Sequence, residues 1–334
     1  MNKSNGLLQV GTVPRTVRGD ADGRLGEASL PCKTRGGTLA AWIGVLRIWS
    51  LTASTIPVAV GAVVAARDGH FSWTMLALTL VCGWLLQIAT NLLNTYGDFR
   101  SGVDTAATLP TAPQLVTGAL SPRAVFWAGV GALAIAAGLG LVAASWSDWR
   151  LLFFAAAGVA GAAGYTTGVR YKYLGLGVPS VFFLMGVLMV GASYFAQACT
   201  LTWKPLVAAL PVSCLVAAIL HGNDLRDTVT DRAAGIETAT LFVGGPRARK
   251  LFYVLHIAPH LVVIASVATG VLPAWTLLTL LALPLTIGAV KTCAGGFRAN
   301  DAVRIGKLEG MSAGTHFIFG ALLVLGLLLA HGLA

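Results

Sequence analysis

Two polar stretches interrupt an otherwise apolar chain, and their residue types could hold a cation. The first, NLLNTYGDFRSGVDT, covers residues 91–105, and the second, HGNDLRDTVTDRAAGIET, covers residues 221–238. They contain six of the 13 acidic residues of the chain: Asp98, Asp104, Asp224, Asp227, Asp231 and Glu237. Because an evenly solvated surface would spread its acids more widely, the spacing of these acids is informative.

Helical spacing would give each stretch one polar face. If helix continues through both stretches, Asn and Asp recur at i, i+3 and i+7 in the first and at i, i+4 and i+8 in the second. The two sets are Asn91, Asn94 and Asp98, and Asn223, Asp227 and Asp231. Two such faces opposite each other would form a concave site rich in oxygen ligands, which suits Mg²⁺.

The ligand of such a site follows from its charge. Neighbouring carboxylates repel each other unless a cation neutralises them. A Mg²⁺ ion held by one or two carboxylates completes its shell with water and phosphate oxygens, so the expected ligand is a diphosphate. The alternative is that these are ordinary loop acids that cap helices and partly neutralise a basic surface. We favour the metal site because the pattern occurs twice at the ends of apolar spans, where ionisable groups are functional by default.

The elements that position these residues are membrane helices. Hydrophobic residues make up 56% of the chain, charged residues 11%, and the mean hydropathy is +0.77, whereas soluble domains are about one quarter charged. Several apolar blocks reach the roughly 20 residues that a spanning helix needs. We therefore predict an all-α polytopic membrane protein, a bundle of about nine transmembrane helices with a polar active site that faces the cytoplasm. The predicted spans are 41–66, 73–95, 123–145, 150–166, 178–199, 205–221, 251–271, 274–291 and 311–331.

The distribution of basic residues predicts the orientation. With these spans, 19 Lys and Arg fall on the side of the acidic stretches and three on the other, and basic loops stay in the cytoplasm. Residues 1–38 are then a disordered basic cytoplasmic tail, and residues 39–334 form the transmembrane domain. We expect a multi-pass protein of a bacterial cytoplasmic membrane, with its N-terminus in the cytoplasm. The net charge of +10 is explained by orientation and by attraction to anionic lipid, so we expect no nucleic-acid partner.

The two stretches resemble the signatures of the UbiA superfamily of intramembrane prenyltransferases, which carry an Asn/Asp motif after the second helix and an Asp-rich motif after the sixth. Together with YTTGVRYKYLGLG (165–177) and ILHGNDLRDTVTDRAAGIETATLFVG (219–244), they look most like the menaquinone branch. The resemblance covers nearly the whole chain beyond residue 40.

The resemblance implies a role for each motif residue. Asn91, Asn94, Asp98 and Asp104 would hold one Mg²⁺ and the diphosphate, and Asn223, Asp227 and Asp231 would hold a second ion. Asp98, Asp104, Asp227 and Asp231 are the implied metal ligands, and Asp98 and Asp227 are also counted as catalytic. Arg226 and Arg232 would pair either with the diphosphate or with the carboxylates.

Four further residues match family positions outside the acidic motifs. Lys172, with Arg170 beside it, would hold the diphosphate as a positive charge, the alternative being cytoplasmic anchoring. Tyr165 would lie near the reacting carbon, where its ring could stabilise an allylic cation. Arg47 would bind substrate, although a snorkelling interfacial arginine is an equal alternative.

Two departures from the family pattern bear on the substrate. Pro113 and Gln114 occupy the neighbourhood of a family arginine, so one diphosphate contact is expected to be missing. Val178 stands where the menaquinone branch has Asp or Glu, so a carboxylate close to the acceptor would be absent. Val178→Asp is then expected to raise turnover with dihydroxynaphthoate.

The function implied is Mg²⁺-dependent transfer of a prenyl group from a prenyl diphosphate to an aromatic acceptor, expected to be 1,4-dihydroxy-2-naphthoate or a related quinone precursor. The substrates would enter a bundle surrounded by membrane lipid. One alternative is a UbiA-type enzyme of specialised metabolism with a different acceptor or none, such as a terpene cyclase. A transporter is disfavoured because its sites would lie near the membrane midplane on broken helices.

Overall fold

A computed structural model describes residues 38–105 and 112–332. The predicted tail, residues 1–38, lies outside the described residues except for Thr38, at which the first helix begins. Residues 106–111, directly after the first motif, also lie outside the described residues.

Nine apolar helices follow one another through the described residues, with no β-strand among them. They are α1 (Leu39–Arg67), α2 (Trp73–Arg100), α3 (Pro122–Trp146), α4 (Leu151–Gly164), α5 (Gly177–Ala198), α6 (Lys204–Ala233), α7 (Gly245–Ala268), α8 (Ala274–Ala299) and α9 (Ala302–Gly332). Eight are long and apolar enough to cross a membrane, and α4 has only 14 residues. The prediction of an all-α polytopic bundle is confirmed, with the fourth predicted span as the short one.

Both helices that carry the acidic stretches run beyond their predicted ends. The second span was expected to end at 95 and the sixth at 221, whereas α2 continues to Arg100 and α6 to Ala233. Within α2, the Ser101 hydroxyl donates to the Gly97 carbonyl and satisfies one of the orphan acceptors of the last turn (2.8 Å). The acids are therefore held on regular helix, and the helical spacing assumed from the sequence is correct.

Two of the spans are irregular close to the site. Helix α1 breaks at Arg47, whose φ of 51° lies in the left-handed region, and then makes a 3₁₀ turn over Ile48–Leu51. The Asn91 amide braces this break by donating to the Leu46 carbonyl and the Ser50 hydroxyl, both at 2.9 Å. Helix α5 contains a π-helical segment, Phe182–Leu188. Strained backbone and π segments recur at functional sites, and both face the cavities described below.

The tightest core lies where α1, α5, α6, α7 and α9 pack together, away from the acidic stretches. Val60, Tyr194, Leu215, Phe319 and Leu323 are almost completely buried there. We call the end of the bundle with the acidic stretches the motif end. Because the core closes the other half of the bundle, the larger polar cavities open toward the motif end.

Candidate active site

The ends of α2 and α6 bring the two acidic stretches to one small cavity of about 40 Å³, which we call the acidic cavity. It is lined by Arg47, Asn94, Asp98, Val103, Asp104, Lys172, Asn223, Arg226, Asp227, Thr230 and Asp231. Residues from both motifs and from the loop after α4 therefore share one site. The predicted meeting of two polar faces is what the helix geometry produces.

The first motif is organised around Lys172. Its ammonium group lies 2.9 Å from the Asp98 Oδ2 and donates to the Asn94 Oδ1 at 3.1 Å. The Tyr173 hydroxyl donates to the other oxygen of Asp98 at 2.6 Å. The side chains of Lys172 and Asp98 are about nine-tenths buried, so this ion pair is shielded from bulk water and its geometry is strongly constrained.

Local structure explains how Lys172 reaches the interior. It lies in a 3₁₀ turn, Tyr171–Tyr173, that follows Arg170 in a left-handed conformation. The Thr166 hydroxyl ties this loop to α2 by donating to the Leu93 carbonyl at 3.1 Å. Gly97 permits the approach, because a Cβ at that position would lie 2.8 Å from the Thr166 Cβ.

The pKa values of Lys172 and Asp104 are both raised, for different reasons. Burial alone would lower the pKa of Lys172, but the Asp98 carboxylate and Tyr173 raise it above its usual value. Burial, then the charge of Asp98, raise the pKa of Asp104 to about 6, against the opposing effect of Lys172. Lys172 therefore stays cationic, and Asp104 marks a place where negative charge accumulates.

The second motif is organised around Arg226. Its guanidinium group makes two hydrogen bonds to Asp227, both at 2.7 Å, and a further bond to Glu309 on α9. In the amide orientation that satisfies both groups of Asn223, its nitrogen donates to Asp227 (3.0 Å) and its oxygen accepts from Arg226 (2.9 Å). Gly222 lets α9 come close, because a Cβ there would lie 2.9 Å from the Glu309 nitrogen. The pairing of Arg226 that the sequence left open is thus with carboxylates.

The remaining acids suit a metal bound together with its ligand. No group of three or more His, Cys, Asp and Glu within the described ranges could hold an ion by itself. Asp104 and Asp231 line the acidic cavity and make no ion pair with any described residue. Carboxylates without a partner cation, beside Asn94, are a donor set for Mg²⁺ that is completed by phosphate oxygens and water. The residues present therefore fit that ion.

A larger cavity of about 160 Å³ continues from this site into the bundle, and we call it the central cavity. Its polar lining includes Arg47, Ser50, Gln87, Asn91, Asn94, Lys172, Asn223 and Glu309. Arg47 and Lys172 line both this cavity and the acidic cavity. Arg47 also has a buried Nε without a hydrogen bond among the described residues, so it can still accept an anionic partner.

Tyr165 lies in the wall of the central cavity. The Lys172 Nζ lies 5.9 Å from the centre of its ring. Burial, with Asp224 and Asp98 nearby, raises the pKa of its hydroxyl well above the usual value. The side chain is therefore a neutral aromatic group that presents its π face to a cationic centre.

Other predicted residues lie differently. Arg170 is exposed and lines none of the three cavities, so it is not brought to the acids. The Asn91 amide is engaged with α1, and its oxygen accepts from Gln87 at 3.1 Å. Gln114, at the position of the absent arginine, lies against Gly44 instead of the acidic cavity.

Val178 requires a correction to the sequence-based interpretation. It is 4% exposed and packs in an apolar cluster with Ala217, Ala218 and Leu255. It lines none of the three cavities, so a carboxylate there would not lie beside an acceptor.

Two residues of the site were missed in the sequence. Tyr173 stands beside Lys172 in a recognised motif, but tyrosines near membrane ends are common, and nothing in the pattern distinguished it. Glu309 had a usable signal, because it is one of few acids at the end of an apolar span. Its distance along the chain from α6 concealed the contact with Arg226.

Comparisons with known proteins agree with this geometry. A family model described as the UbiA prenyltransferase family matches residues 54–308. The chain is 30% identical over 286 residues to the 1,4-dihydroxy-2-naphthoate octaprenyltransferase of Bacillus subtilis (strain 168), an alignment that covers 84% of this chain and 90% of the relative. It is 31% identical over 299 residues to the UbiA prenyltransferase domain-containing protein 1 of Homo sapiens, covering 87% and 84%.

The fold is similar to a solved structure as well. A UbiA homolog from Archaeoglobus fulgidus, bound to GPP and Mg²⁺, superposes with a TM-score of 0.53 at 16% identity, over 85% of this chain and 99% of that one. The family match spans most of the chain and includes both acidic motifs. The chain belongs to the UbiA prenyltransferase family and is an integral membrane prenyltransferase.

Proposed function

We propose that this protein transfers a prenyl group from a prenyl diphosphate to 1,4-dihydroxy-2-naphthoate or a related quinone precursor, in a Mg²⁺-dependent reaction. The observation that carries the proposal is the pair of acids without a partner cation, Asp104 and Asp231, which face the buried Lys172 at the head of the central cavity. This arrangement combines sites for a divalent cation and for an anion beside an apolar chamber. The acceptor is suggested by the Bacillus subtilis relative.

The diphosphate binds between the cations and the acids. Lys172 and Arg47 attract it, since both line the acidic and the central cavities. Asp104 and Asp231 would hold Mg²⁺, with Asp98 and Asp227 at the same cavity. An ion held there would supply stabilisation of the negative charge on the departing diphosphate. Lys172 contributes to the same stabilisation from a fixed position, because its hydrogen bonds to Asp98 and Asn94 orient it before substrate arrives.

The reacting carbon then lies in the central cavity. As the carbon–oxygen bond breaks, positive charge develops on the allylic carbon, and the neutral ring of Tyr165 faces that charge. The aromatic acceptor attacks this carbon and loses the ring proton or carboxyl group at the position that becomes prenylated. Leu184, Met185 and Leu220 line the cavity beside Tyr165 and exclude the water that would otherwise hydrolyse the cation.

The proposal includes an orientation. The motif end faces the cytoplasm of a bacterial cell, as the charge distribution predicts, so that soluble prenyl diphosphate and acceptor reach the acidic cavity directly. Labelling of a cysteine at position 101 from the cytoplasm, and of one at position 148 from the other side, tests it. The reversed labelling pattern contradicts this part.

The test is product analysis with purified protein and a labelled prenyl diphosphate, with and without dihydroxynaphthoate, in Mg²⁺ or in EDTA. We expect a prenylated naphthoate product only with Mg²⁺, and its loss in Asp231→Asn. Asp148→Asn is the control, since Asp148 pairs with Arg150 on an exposed loop. Full turnover in EDTA or in Asp231→Asn refutes the metal role. Donor consumption with a cyclic hydrocarbon product and no use of acceptor identifies a terpene cyclase instead.

A further inference from the structure

A third cavity, the apolar cavity, extends the central cavity away from the motif end. It has a volume of about 100 Å³ and lies among α1, α2, α3, α4 and α5. Thr79, Ala143 and Leu151 line it close to the far ends of their helices. None of its lining residues is charged, so its chemistry suits a hydrocarbon.

The central and apolar cavities share four wall residues, Leu86, Gly158, Leu184 and Met189, which we call the neck. The positions along α2 show the direction of the path. Asn94 lies at the head, Leu86 in the neck and Thr79 beyond it. At 1.5 Å per residue, about 12 Å separates the head from the neck, and about 10 Å more leads to Thr79. The two cavities thus lie end to end along α2, with the neck residues between them.

Glycines and the π segment shape the neck. The π segment of α5 includes Leu184, and a Cβ on Gly161 would lie 2.5 Å from a methyl carbon of that leucine. A Cβ on Gly158 would lie 3.2 Å from a methyl carbon of Leu86. Both leucine side chains therefore lie against glycines of α4, and any larger residue at Gly158 would project into the passage.

We propose that the prenyl tail of the donor passes the neck into the apolar cavity, and that Leu86, Gly158 and Leu184 determine which tail lengths the enzyme accepts. The inference rests on the proposed function, because it requires the diphosphate head at Lys172. A short tail is held in the central cavity alone. A longer tail leaves the central cavity at the neck, and the apolar cavity is the continuous, uncharged space that receives it.

The test compares donors of increasing length, from dimethylallyl and geranyl to farnesyl and geranylgeranyl diphosphate. In Gly158→Leu we expect kcat/KM to fall at least about tenfold for geranylgeranyl and less than about threefold for geranyl diphosphate, because only the longer tail meets the new side chain. Leu184→Ala should shift preference the other way. The control is Ala160→Leu, an exposed position on the same helix, which should keep the wild-type donor order.

The experiment distinguishes a failure of the proposed function from a failure of the proposed role of the neck. A wild-type protein that is inactive with every donor refutes the proposed function. An active wild type whose donor order survives in Gly158→Leu refutes the neck.

A second measurement needs no variant. A geranylgeranyl diphosphate analogue with a photoreactive group at the tail end should label the wild-type protein at residues that line the apolar cavity beyond the neck, such as Thr79, Cys82 and Ala143. Labelling confined to residues outside the apolar cavity contradicts the proposal. So does a co-purified phospholipid that keeps the apolar cavity filled in the presence of saturating donor.

Discussion

The two ends of the bundle differ in how completely their carboxylates are paired: the motif end has ion pairs at Asp98 and Asp227 but also holds unpaired acids. At the end away from the motifs, Asp68 pairs with Lys204 and accepts from the Tyr194 hydroxyl at 2.8 Å, and Asp148 pairs with Arg150 at 2.8 Å. Each of these acids has its own cation. At the motif end, Asp104, Asp224 and Asp231 make no ion pair with any described residue.

This difference separates a structural use of charge from a chemical one. A paired acid in a loop holds helix ends together, and it needs no bound cation because its charge is already neutralised. Asp224 and Asp231, in contrast, are almost completely buried, and buried carboxylates in mutual proximity raise the free energy of the unliganded protein. A site that tolerates this arrangement gains a strong preference for a bound cation. The motif end therefore carries the negative charge that the proposed Mg²⁺ ion would neutralise.

The largest effect is expected from Lys172→Met, which removes the buried cation that pairs with Asp98 at the motif end. Asp98 would remain buried without its ion pair, at a cost of about 3 to 5 kcal/mol in the free energy of unfolding. Diphosphate binding should also fail, so prenyl transfer should be lost. Thermal unfolding and donor kcat/KM measure the two effects.

Lys204→Met is the matched control for that change. Lys204 is half exposed and pairs with Asp68 in a loop, so its loss should cost about 1 kcal/mol or less and leave transfer intact. Equal losses of stability and activity in Lys172→Met and Lys204→Met would contradict the conclusion that the two ends use their ion pairs differently.

Val178→Asp would place a carboxylate in an apolar cluster at the motif end, outside the three cavities. Because Val178 packs against Ala217, Ala218 and Leu255, we expect a loss of about 2 to 7 kcal/mol in the free energy of unfolding, instead of the gain in turnover that the sequence suggested. Val169→Asp, at a position that is 72% exposed, is the control. A stable Val178→Asp enzyme with higher turnover on dihydroxynaphthoate would restore the original interpretation.

Glu309→Gln tests the bridge between the second motif and α9. Arg226 would keep its bonds to Asp227 and lose one charged partner, so donor kcat/KM should fall about tenfold, chiefly through a higher KM. Asp301→Asn provides the control, because Asp301 is the partly buried N-cap residue before α9 and its side chain pairs with Arg304. An unchanged KM in Glu309→Gln would show that Arg226 is positioned without α9.

The fold was largely readable from hydropathy, because a membrane span needs a long apolar run, and the described residues contain eight such helices and the shorter α4. The ends of α2 and α6 were placed too early for a physical reason. Their last turns are polar, and hydropathy alone cannot distinguish polar helix inside a protein cavity from polar loop in water. The spacing of Asp98 and Asp227 within their motifs held the better information.

The site was less readable from the sequence, because its contacts join residues that are far apart along the chain. Helical spacing predicted that the two acidic stretches would meet, and the family resemblance placed Lys172 at the diphosphate. Neither indicated that Tyr173 would share Asp98 or that Glu309 would hold Arg226. Position within a motif also misled at Val178 and Arg170. A residue next to a functional one on a turn or helix can point to the opposite side, and only the packing of α4, α5 and α6 determines which side lines the cavity.

The smallest effect is expected at Asp68, the paired acid of the other end. Burial would raise its pKa, but hydrogen bonds from Lys204 and Tyr194 hold it below the usual 3.8. A lowered pKa in the folded state stabilises the protein above about pH 4 and loses that contribution as the pH falls through the folded value. Asp68→Asn should therefore cost about 1 kcal/mol or less at pH 7, leave prenyl transfer unchanged, and match the wild-type unfolding temperature in strong acid. A pH-independent difference in unfolding temperature would mean that packing, and not the ion pair, makes Asp68 useful.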